Sequence, residues 1–339
     1  MTAVTTVAVP AHGPAAQVLP LLRALSAQAD PAAPLPVIVS DDASPVPLAD
    51  DLEGADLPGL RLTVVRSDRN GGPGAARNRA LAHVTTPWVS YLDADEIPSG
   101  DWLARLLVHL ESPDPADVVT GIVRMPVDPS PFEHATEVAV DAEQFGAGNV
   151  TFCTERLRAA GGFDERFYDV ARRLHFREDA DLRFRLEAKA GLRLVYDPEL
   201  VVQHPPLPAS FWTPVRLARR YYFDPLLARE HPERFRRFVR SRRVGPFGLR
   251  RARHDAALLY AGGLVATAAG AAAGSRRVAR AGAGALVAGW AANVAALAWR
   301  RRLRPAHLPG LAVLGGVVPL VYLWHFLRGV VAFRHLPRF

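Results

Sequence analysis

Three acidic clusters in this 339-residue chain combine residue types and spacings that can do chemistry. Asp93-Ala94-Asp95 directly follows the apolar run Val89-Ser90-Tyr91-Leu92. Two carboxylates two residues apart at the end of a buried strand can converge on one hard divalent cation, Mn²⁺ or Mg²⁺, and leave room for phosphate oxygens. A cation so held neutralises charge as a bond to a diphosphate leaving group breaks. The same spacing suits a helix cap on a solvated loop, and the motif alone does not choose. Asp41-Asp42-Ala43-Ser44 closes an earlier apolar run. Its carboxylates can accept hydrogen bonds from a base N–H or ribose hydroxyls, or form an Asx turn with Ser44. Arg177-Glu178-Asp179-Ala180-Asp181 opens a charged helix. The helix dipole favours acids in a first turn, and Asp179 there can also act as a general base toward an acceptor hydroxyl.

Three further stretches are less committed. Asn70-Gly71-Gly72-Pro73-Gly74-Ala75-Ala76-Arg77-Asn78 is a glycine-rich entry to a helix. It lacks the Gly-Lys-Ser/Thr end of a P-loop and the third glycine of a dinucleotide fingerprint. Its backbone can still approach a nucleotide, and Arg77 can meet a phosphate or an acidic neighbour. Gly161-Gly162-Phe163-Asp164-Glu165 is a turn whose aromatic ring either lines an acceptor pocket or packs. His204 reads either as a metal or phosphate contact or as a structural residue.

The elements needed to position these residues are legible as a pattern. Val4–Val9, Val37–Val39, Leu60–Val65 and Trp88–Leu92 read as buried strands. Ala15–Ala29 and Ala75–Ala82 read as helices between them. Strand character returns at Val118–Val127, Gly146–Phe152 and Leu192–Tyr196, and helical character at Thr154–Ala160 and Asp179–Lys189. Alternation of this kind implies an α/β fold with a doubly wound, mostly parallel sheet. Ligands then bind outside the carboxyl ends of the strands, where two of the acidic pairs fall.

Beyond about residue 207 the composition changes. Residues 208–254 are rich in arginine and aromatics, as in interfacial helices or a packed helical lid. Residues 255–333 hold three apolar segments, Ala256–Gly274, Ala281–Trp299 and Leu308–Phe333, each near the length that crosses a bilayer. Arg240, Arg242, Arg243, Arg250, Arg251 and Arg253 precede the first segment, and Arg300, Arg301, Arg302 and Arg304 follow the second. Arg276, Arg277 and Arg280 lie between them. That asymmetry favours two to three spans in an inner or plasma membrane, with residues 1–207 in the cytoplasm. The net charge of +7 then addresses an anionic membrane surface. No basic stripe interleaved with aromatics occurs in the first 200 residues, so nucleic acid is not an expected partner. Cys153 is the sole cysteine, which excludes an internal disulfide and a cysteine-built zinc site. The amino terminus has no basic segment followed by an apolar one, in keeping with a cytosolic start.

The order of the motifs narrows the reading. Pro10-Ala11-His12, Asp41-Asp42-Ala43-Ser44, Ala76-Arg77-Asn78, Leu92-Asp93-Ala94-Asp95, Gly161-Gly162-Phe163-Asp164 and Glu178-Asp179 succeed one another over residues 4–207. This succession resembles the inverting family 2 glycosyltransferases of the GT-A fold. The resemblance implies a nucleotide-sugar donor held by Pro10, Asp41, Asp42, Arg77 and Asp93, and a divalent cation on Asp93 and Asp95. It implies Asp179 as the catalytic base, with Gly162, Phe163 and Glu178 on the acceptor side. The acceptor would be lipid-linked or an envelope glycan close to the membrane. Pro10-Ala11-His12-Gly13 departs from the family's usual Pro-x-Tyr-Asn, which bears on base stacking. No Gln-x-x-Arg-Trp follows, so single transfers are expected rather than processive synthesis. A nucleotidyltransferase and a non-catalytic nucleotide-sugar-binding membrane protein are the competing readings.

Overall fold

The computed structural model describes residues 4–52, 54–124, 130–132, 146–189, 191–205, 210–241, 243–244, 247–299 and 301–337. The expected strand beyond residue 124, Arg242, Arg300 and the prolines at 206 and 208 lie outside these residues. The chain divides into two compact units, residues 1–126 with 136–206 and residues 127–135 with 207–339.

The first unit is built on an eight-stranded sheet. Its strands are β1 (Thr5–Ala11), β2 (Leu35–Asp42), β3 (Leu60–Ser67), β4 (Trp88–Leu92), β5 (Ile97–Pro98), β6 (Val118–Arg124) and β7 (Asn149–Cys153). A two-residue pair, β8 (Tyr168–Asp169) and β9 (Leu174–His175), stands apart, and β10 (Leu194–Gln203) completes the sheet. The sheet order is β3-β2-β1-β4-β7-β6-β10-β5. The first four strands in that order are mutually parallel, β7 runs antiparallel to both β4 and β6, and β6 and β10 are parallel. The carboxyl ends of β1, β2 and β4 therefore lie along one edge of the sheet.

Helices α1 (Ala15–Ser26), α2 (Leu48–Leu52), α3 (Gly72–His83), α4 (Trp102–Leu110), α5 (Thr154–Ala159) and α6 (Glu178–Glu187) surround the sheet. Val7, Val9, Val37 and Val39 pack with Val18, Leu21, Leu22 and Leu25 of α1 and with Trp102, Leu103 and Leu106 of α4. Ala8 and Ile38, which alternate with these valines on β1 and β2, and Tyr91 of β4 pack with Ala80 and Leu81 of α3, Leu157 of α5 and Leu182 of α6. Strands covered on both faces read as continuous apolar runs, which is why they are visible in the sequence. Leu21, Leu22 and Leu25 are fully buried, and each such side chain contributes about 1.5–3 kcal/mol relative to exposure.

Two features depart from the expected pattern. Helix α4 is an added element, although Trp102, Leu106 and Leu110 recur at helical spacing. The strand expected at Leu192–Tyr196 runs on as β10, Leu194–Gln203, with a bulge between Tyr196 and Val201. Pro198 supplies no N–H to the ladder, so pairing slips there and resumes. Asn149 fills the gap left by the slip. Its side-chain amide donates to the carbonyls of Leu200 (2.8 Å) and Ile122 (3.2 Å) and accepts from Trp102 Nε1 (3.0 Å). Gly121 lies against the same carbonyl of Leu200, and any Cβ there would collide with it.

The second unit contains α7 (Thr213–Ala218), α8 (Asp224–Glu230), α9 (Pro232–Ser241) and three long helices. These are α10 (Leu249–Ala272), α11 (Arg276–Ala298) and α12 (Leu308–Phe333). All three are long and apolar enough to cross a membrane, over 252–272, 276–298 and 305–333. Gly263 and Gly270 of α10 abut the backbone of Leu286 and Ala279, while Gly282 and Gly289 of α11 abut Thr267 and Tyr260. Small residues spaced by seven let two antiparallel helices approach closely. Helix α9 buries Phe235 and Val239 and exposes Arg236 and Arg237, so it is a packed amphipathic helix.

Asn149→Leu removes three buried hydrogen bonds and leaves their partners unsatisfied. Each such group costs about 1–3 kcal/mol, so the variant is expected to lose at least about 3 kcal/mol of stability in denaturant unfolding. An unchanged midpoint would contradict this account of the bulge.

Candidate active site

The site forms along the edge where β1, β2 and β4 end. Asp41 and Asp42 are the last two residues of β2, and both are buried. The carboxylate of Asp41 accepts from the backbone N–H of Ser44 (2.8 Å) and of Leu48 (3.2 Å) and from Arg66. Burial pushes its pKa up, but these donors outweigh burial and hold it below the usual range. Asp42 turns toward the glycine-rich loop. It accepts from the N–H of Gly71 (3.0 Å) and Gly72 (2.7 Å) and from Arg79 (3.2 Å). Gly72 has φ +84°, a value that glycine tolerates, and the ring of Tyr168 lies where a Cβ would project. The two carboxylates expected to meet a nucleoside base are thus engaged internally, and contact with a base would have to replace one of these donors. Asp42 here fixes the loop that starts α3, and Asp41 fixes the turn that leads from β2 to α2.

Pro10 is half-buried near the carboxyl end of β1, paired with Ser40 of β2. His12 follows and donates from Nδ1 to the carbonyl of Asp42 (2.9 Å), which ties the ends of the two strands together.

Helix α3 carries Arg77 into the sheet edge. The residue is 3% exposed. Nη2 bonds to Asp93 Oδ1 at 2.7 Å, and Nη1 lies 3.8 Å from Glu178 Oε1. Burial disfavours this cation, but Asp93 and Glu178 together raise its pKa further. Its Nε and Nη1 make no hydrogen bond within the described residues. Arg77 meets acidic neighbours and joins the Asp93 motif to the Glu178-Asp179 motif.

Asp93, Ala94 and Asp95 leave β4 in a turn. Asp93 is partly exposed. Glu96, which sequence reasoning passed over, is buried beneath it and accepts from its N–H at 2.8 Å. Burial and the charge of Asp93 push the Glu96 carboxyl well above its ordinary range. Asp95 reaches the other way, to His204 just past the end of β10, with Nε2 3.3 Å from Oδ2. Burial raises the Asp95 pKa, but the bond to His204 outweighs it and the net shift is downward; the same bond raises His204.

The carbonyl of Pro205 accepts from His204 Nδ1 at 2.7 Å. A ring nitrogen donating to a carbonyl orients the imidazole as in a metal-bound histidine, and Nε2, which here bonds to Asp95, would have to give up that bond to coordinate. Among the described residues no three His, Cys, Asp or Glu side chains close on a single point. Two or three protein ligands are enough for Mg²⁺ or Mn²⁺ when substrate phosphates and water supply the others. Asp95 and His204, with Asp93 beside them, fit that donor set.

The expected base stands at the start of α6. Arg177, with φ +79°, turns the chain into the helix, stacks on Phe176 (3.9 Å) and is buried. Glu178 is nearly buried and takes a contact from His175 (3.3 Å). Burial raises its pKa, but His175 and Arg77 outweigh that and keep Glu178 ionised. Asp179 is half-buried. Burial and the negative charge of Glu178 push its pKa upward. An ionised carboxylate beside one of raised pKa separates the two groups into orienting and proton-accepting partners.

Gly162 and Phe163 are buried. Asn78 holds the backbone of Phe163 with a paired amide contact, both bonds at 2.8 Å. The Phe163 ring packs edge-on against Tyr91 (5.5 Å) and lies 5.2 Å from the Arg77 guanidinium. The ring is thus buried and packed within the first unit.

The fold matches that of the mannosyltransferase PcManGT from Pyrobaculum calidifontis, solved in complex with GDP-Man and Mn²⁺. The TM-score is 0.52 at 20% identity, over 98% of this chain and 88% of that one. Residues 6–178, just over half the chain, match the glycosyl transferase family 2 model, and the chain belongs to that family. A pre-mycofactocin glycosyltransferase of Mycobacterium tuberculosis is 35% identical over 186 residues, which cover 50% of this chain and 37% of that relative. The succinoglycan biosynthesis protein ExoW of Rhizobium meliloti is 46% identical over 70 residues, 20% of this chain and 22% of its own. The chain thus spans little more than a third of the first relative and less of the second.

Asp42→Ala leaves the N–H groups of Gly71 and Gly72 without their acceptor. Thermal unfolding should show a loss of about 2–4 kcal/mol. A variant as stable as the parent would mean that Asp42 does not hold the loop.

Proposed function

We propose that this chain transfers a sugar from a nucleoside-diphosphate donor to a hydroxyl of a lipid-linked or membrane-proximal envelope acceptor, once per acceptor and with inversion at the anomeric carbon. The observation that carries this reading is the junction at Arg77. One buried guanidinium spans the carboxylates of a cation-binding motif and of a base motif.

In this reading the donor lies over the carboxyl ends of β1, β2 and β4. Pro10 borders the nucleoside, while Asp41 and Asp42 shape the floor beneath it. Asp93 stands near the ribose, and Asp93, Asp95 and His204 hold the divalent cation. That cation, when bound, neutralises charge on the departing diphosphate. Asp179 accepts the acceptor's hydroxyl proton, which makes the oxygen nucleophilic for in-line attack. Glu178 stays ionised and orients its neighbours. Arg77 keeps the two carboxylate groups at a fixed separation.

The domain division that goes with this is 1–207 for transfer, 208–254 for basic and aromatic connecting helices, and 255–333 for membrane spans, with the first domain on the cytoplasmic side. Support for the spans comes from the many large apolar side chains on α10, α11 and α12 that face outward, among them Leu258, Val265, Val287, Leu320 and Val331. Exposed apolar surface of that extent marks a membrane or a protein interface.

Detergent-purified protein should release a nucleoside diphosphate from one nucleotide sugar when Mn²⁺ or Mg²⁺ and a membrane lipid extract are supplied. Asp95→Asn and Asp179→Asn should each lower turnover at least about 10²-fold. Pyrophosphate release would identify a nucleotidyltransferase instead. Donor binding by calorimetry without turnover under any condition would favour a non-catalytic binder.

The pH dependence has a definite sign. Asp179 must be deprotonated to accept a proton, and its pKa is raised. Activity should therefore be complete above that pKa and fall as pH drops through it, at a higher pH than an ordinary aspartate would give. An acid limb that persists unchanged in residual Asp179→Asn activity would assign the limb to another group.

A further inference from the structure

The second unit holds a cavity of about 360 Å³ lined by Tyr222, Trp324, Leu327, Arg328, Val331 and Ala332. Trp324, Leu327 and Val331 are exposed and form an apolar stripe along one side of α12. Arg328 is half-buried in that stripe and is the only formally charged residue between Leu308 and Phe333. Its guanidinium lies 5.6 Å from the ring centre of Tyr222. The backbone approach that shapes the cavity is close, since any Cβ at Gly329 would collide with the Tyr222 carbonyl.

An arginine among apolar side chains ordinarily has a carboxylate partner. Asp255 is the only acidic residue from 249 to the end of the chain. Among the described residues Arg328 makes no ion pair, and the Tyr222 ring is the group it faces. An aromatic face stabilises the cation but does not cancel its charge. The site therefore presents one uncompensated cation, an apolar groove, and two aromatic side chains of the kind enriched at the membrane–water boundary.

We propose that this groove binds one anionic phospholipid, its phosphate on Arg328 and an acyl chain along Trp324, Leu327 and Val331. The complementarity is of charge and of polarity together: a free phosphate would satisfy only Arg328, and a neutral lipid only the stripe. A fixed lipid at the end of α12 would seat the helix at a defined depth through Tyr222, on the segment between α7 and α8. The inference rests on reading the second unit as membrane-embedded through α10 and α11, with the Arg328 end of α12 on the side where α10 begins, beside the bond between His254 and Tyr322 (2.7 Å).

The test uses the full chain in nanodiscs of phosphatidylcholine with and without phosphatidylglycerol. Lipid retained after gentle release is read by native mass spectrometry. The parent should retain one phosphatidylglycerol in about tenfold preference over phosphatidylcholine, as a charge-assisted contact of ordinary strength gives. Arg328→Gln should abolish the preference, Arg328→Lys should keep part of it, and Trp324→Ala should weaken retention of both lipids. Arg334→Gln, which removes an exposed charge outside the groove, should change nothing. Equal preference in the parent and in Arg328→Gln would overturn the proposal, as would equal losses in Arg328→Gln and Arg334→Gln. A groove closed by a second copy, seen as a lipid-free dimer, would also overturn it. Protein that stays in aqueous solution and never enters the discs would instead remove the membrane reading itself. None of these readouts depends on sugar transfer.

Discussion

A buried arginine in an acidic surround organises the first unit. Arg77 sits where water is scarce, and a cation there is costly unless anions stand close. Asp93 and Glu178, drawn from the end of β4 and the start of α6, supply them. Neither carboxylate can retreat without leaving the guanidinium uncompensated, and the guanidinium cannot leave without setting two like charges against each other. The positions of the Asp93 turn and of the α6 entry are thereby made mutually dependent. The neighbouring Asn78 extends this dependence, because its amide holds the backbone at Phe163 on the approach to α6. One turn of α3 thus fixes both sides of the site.

Much of this was readable from the residues, for physical reasons that differ by element. Trp88–Leu92 is buried on both faces, so its apolar run and its limits coincide with the strand. The doubly wound alternation and the placement of Asp41-Asp42 and Asp93-Ala94-Asp95 at strand ends follow from the same signal, whereas the likeness to glycosyl transferase family 2 lay in the order of the motifs. The β8–β9 pair was not legible, since two-residue strands have no period to detect. The bulge at Pro198 was not legible as a bulge, because a proline signals an interruption without saying whether pairing resumes.

The side-chain partnerships lay deepest. Spacing shows that Asp42 ends a strand, but not that Gly71 and Gly72 will claim its carboxylate. Phe163 in a glycine turn has the same sequence signature whether it lines a pocket or packs against Tyr91. His204 was noticed only as an ambiguous histidine. Its pairing with Asp95 depends on β10 reaching the same sheet edge as β4, a long-range fact of topology. Its tautomer depends on the carbonyl of the very next residue, Pro205, and nothing in composition reveals that.

The glycines at 263, 270, 282 and 289 carry a consequence of another kind. By lining the seam between α10 and α11 with hydrogen atoms, they turn the larger side chains, Leu258, Leu264, Val278 and Val287 among them, away from it. The pair is an inverted core, small inside and bulky outside, the opposite of α1 and α4 against the sheet. Such a pair gains little cohesion from expelling water at its seam, since there is scarcely any apolar side chain there to hide. Its cohesion comes from backbone surfaces in contact, which an oily solvent does not weaken. Transfer from water to that solvent would relieve its outer surface and leave its inner one intact, whereas the sheet domain would lose the aqueous contrast that keeps its valines and leucines together. One chain thus carries two units whose cohesion depends on water to different degrees.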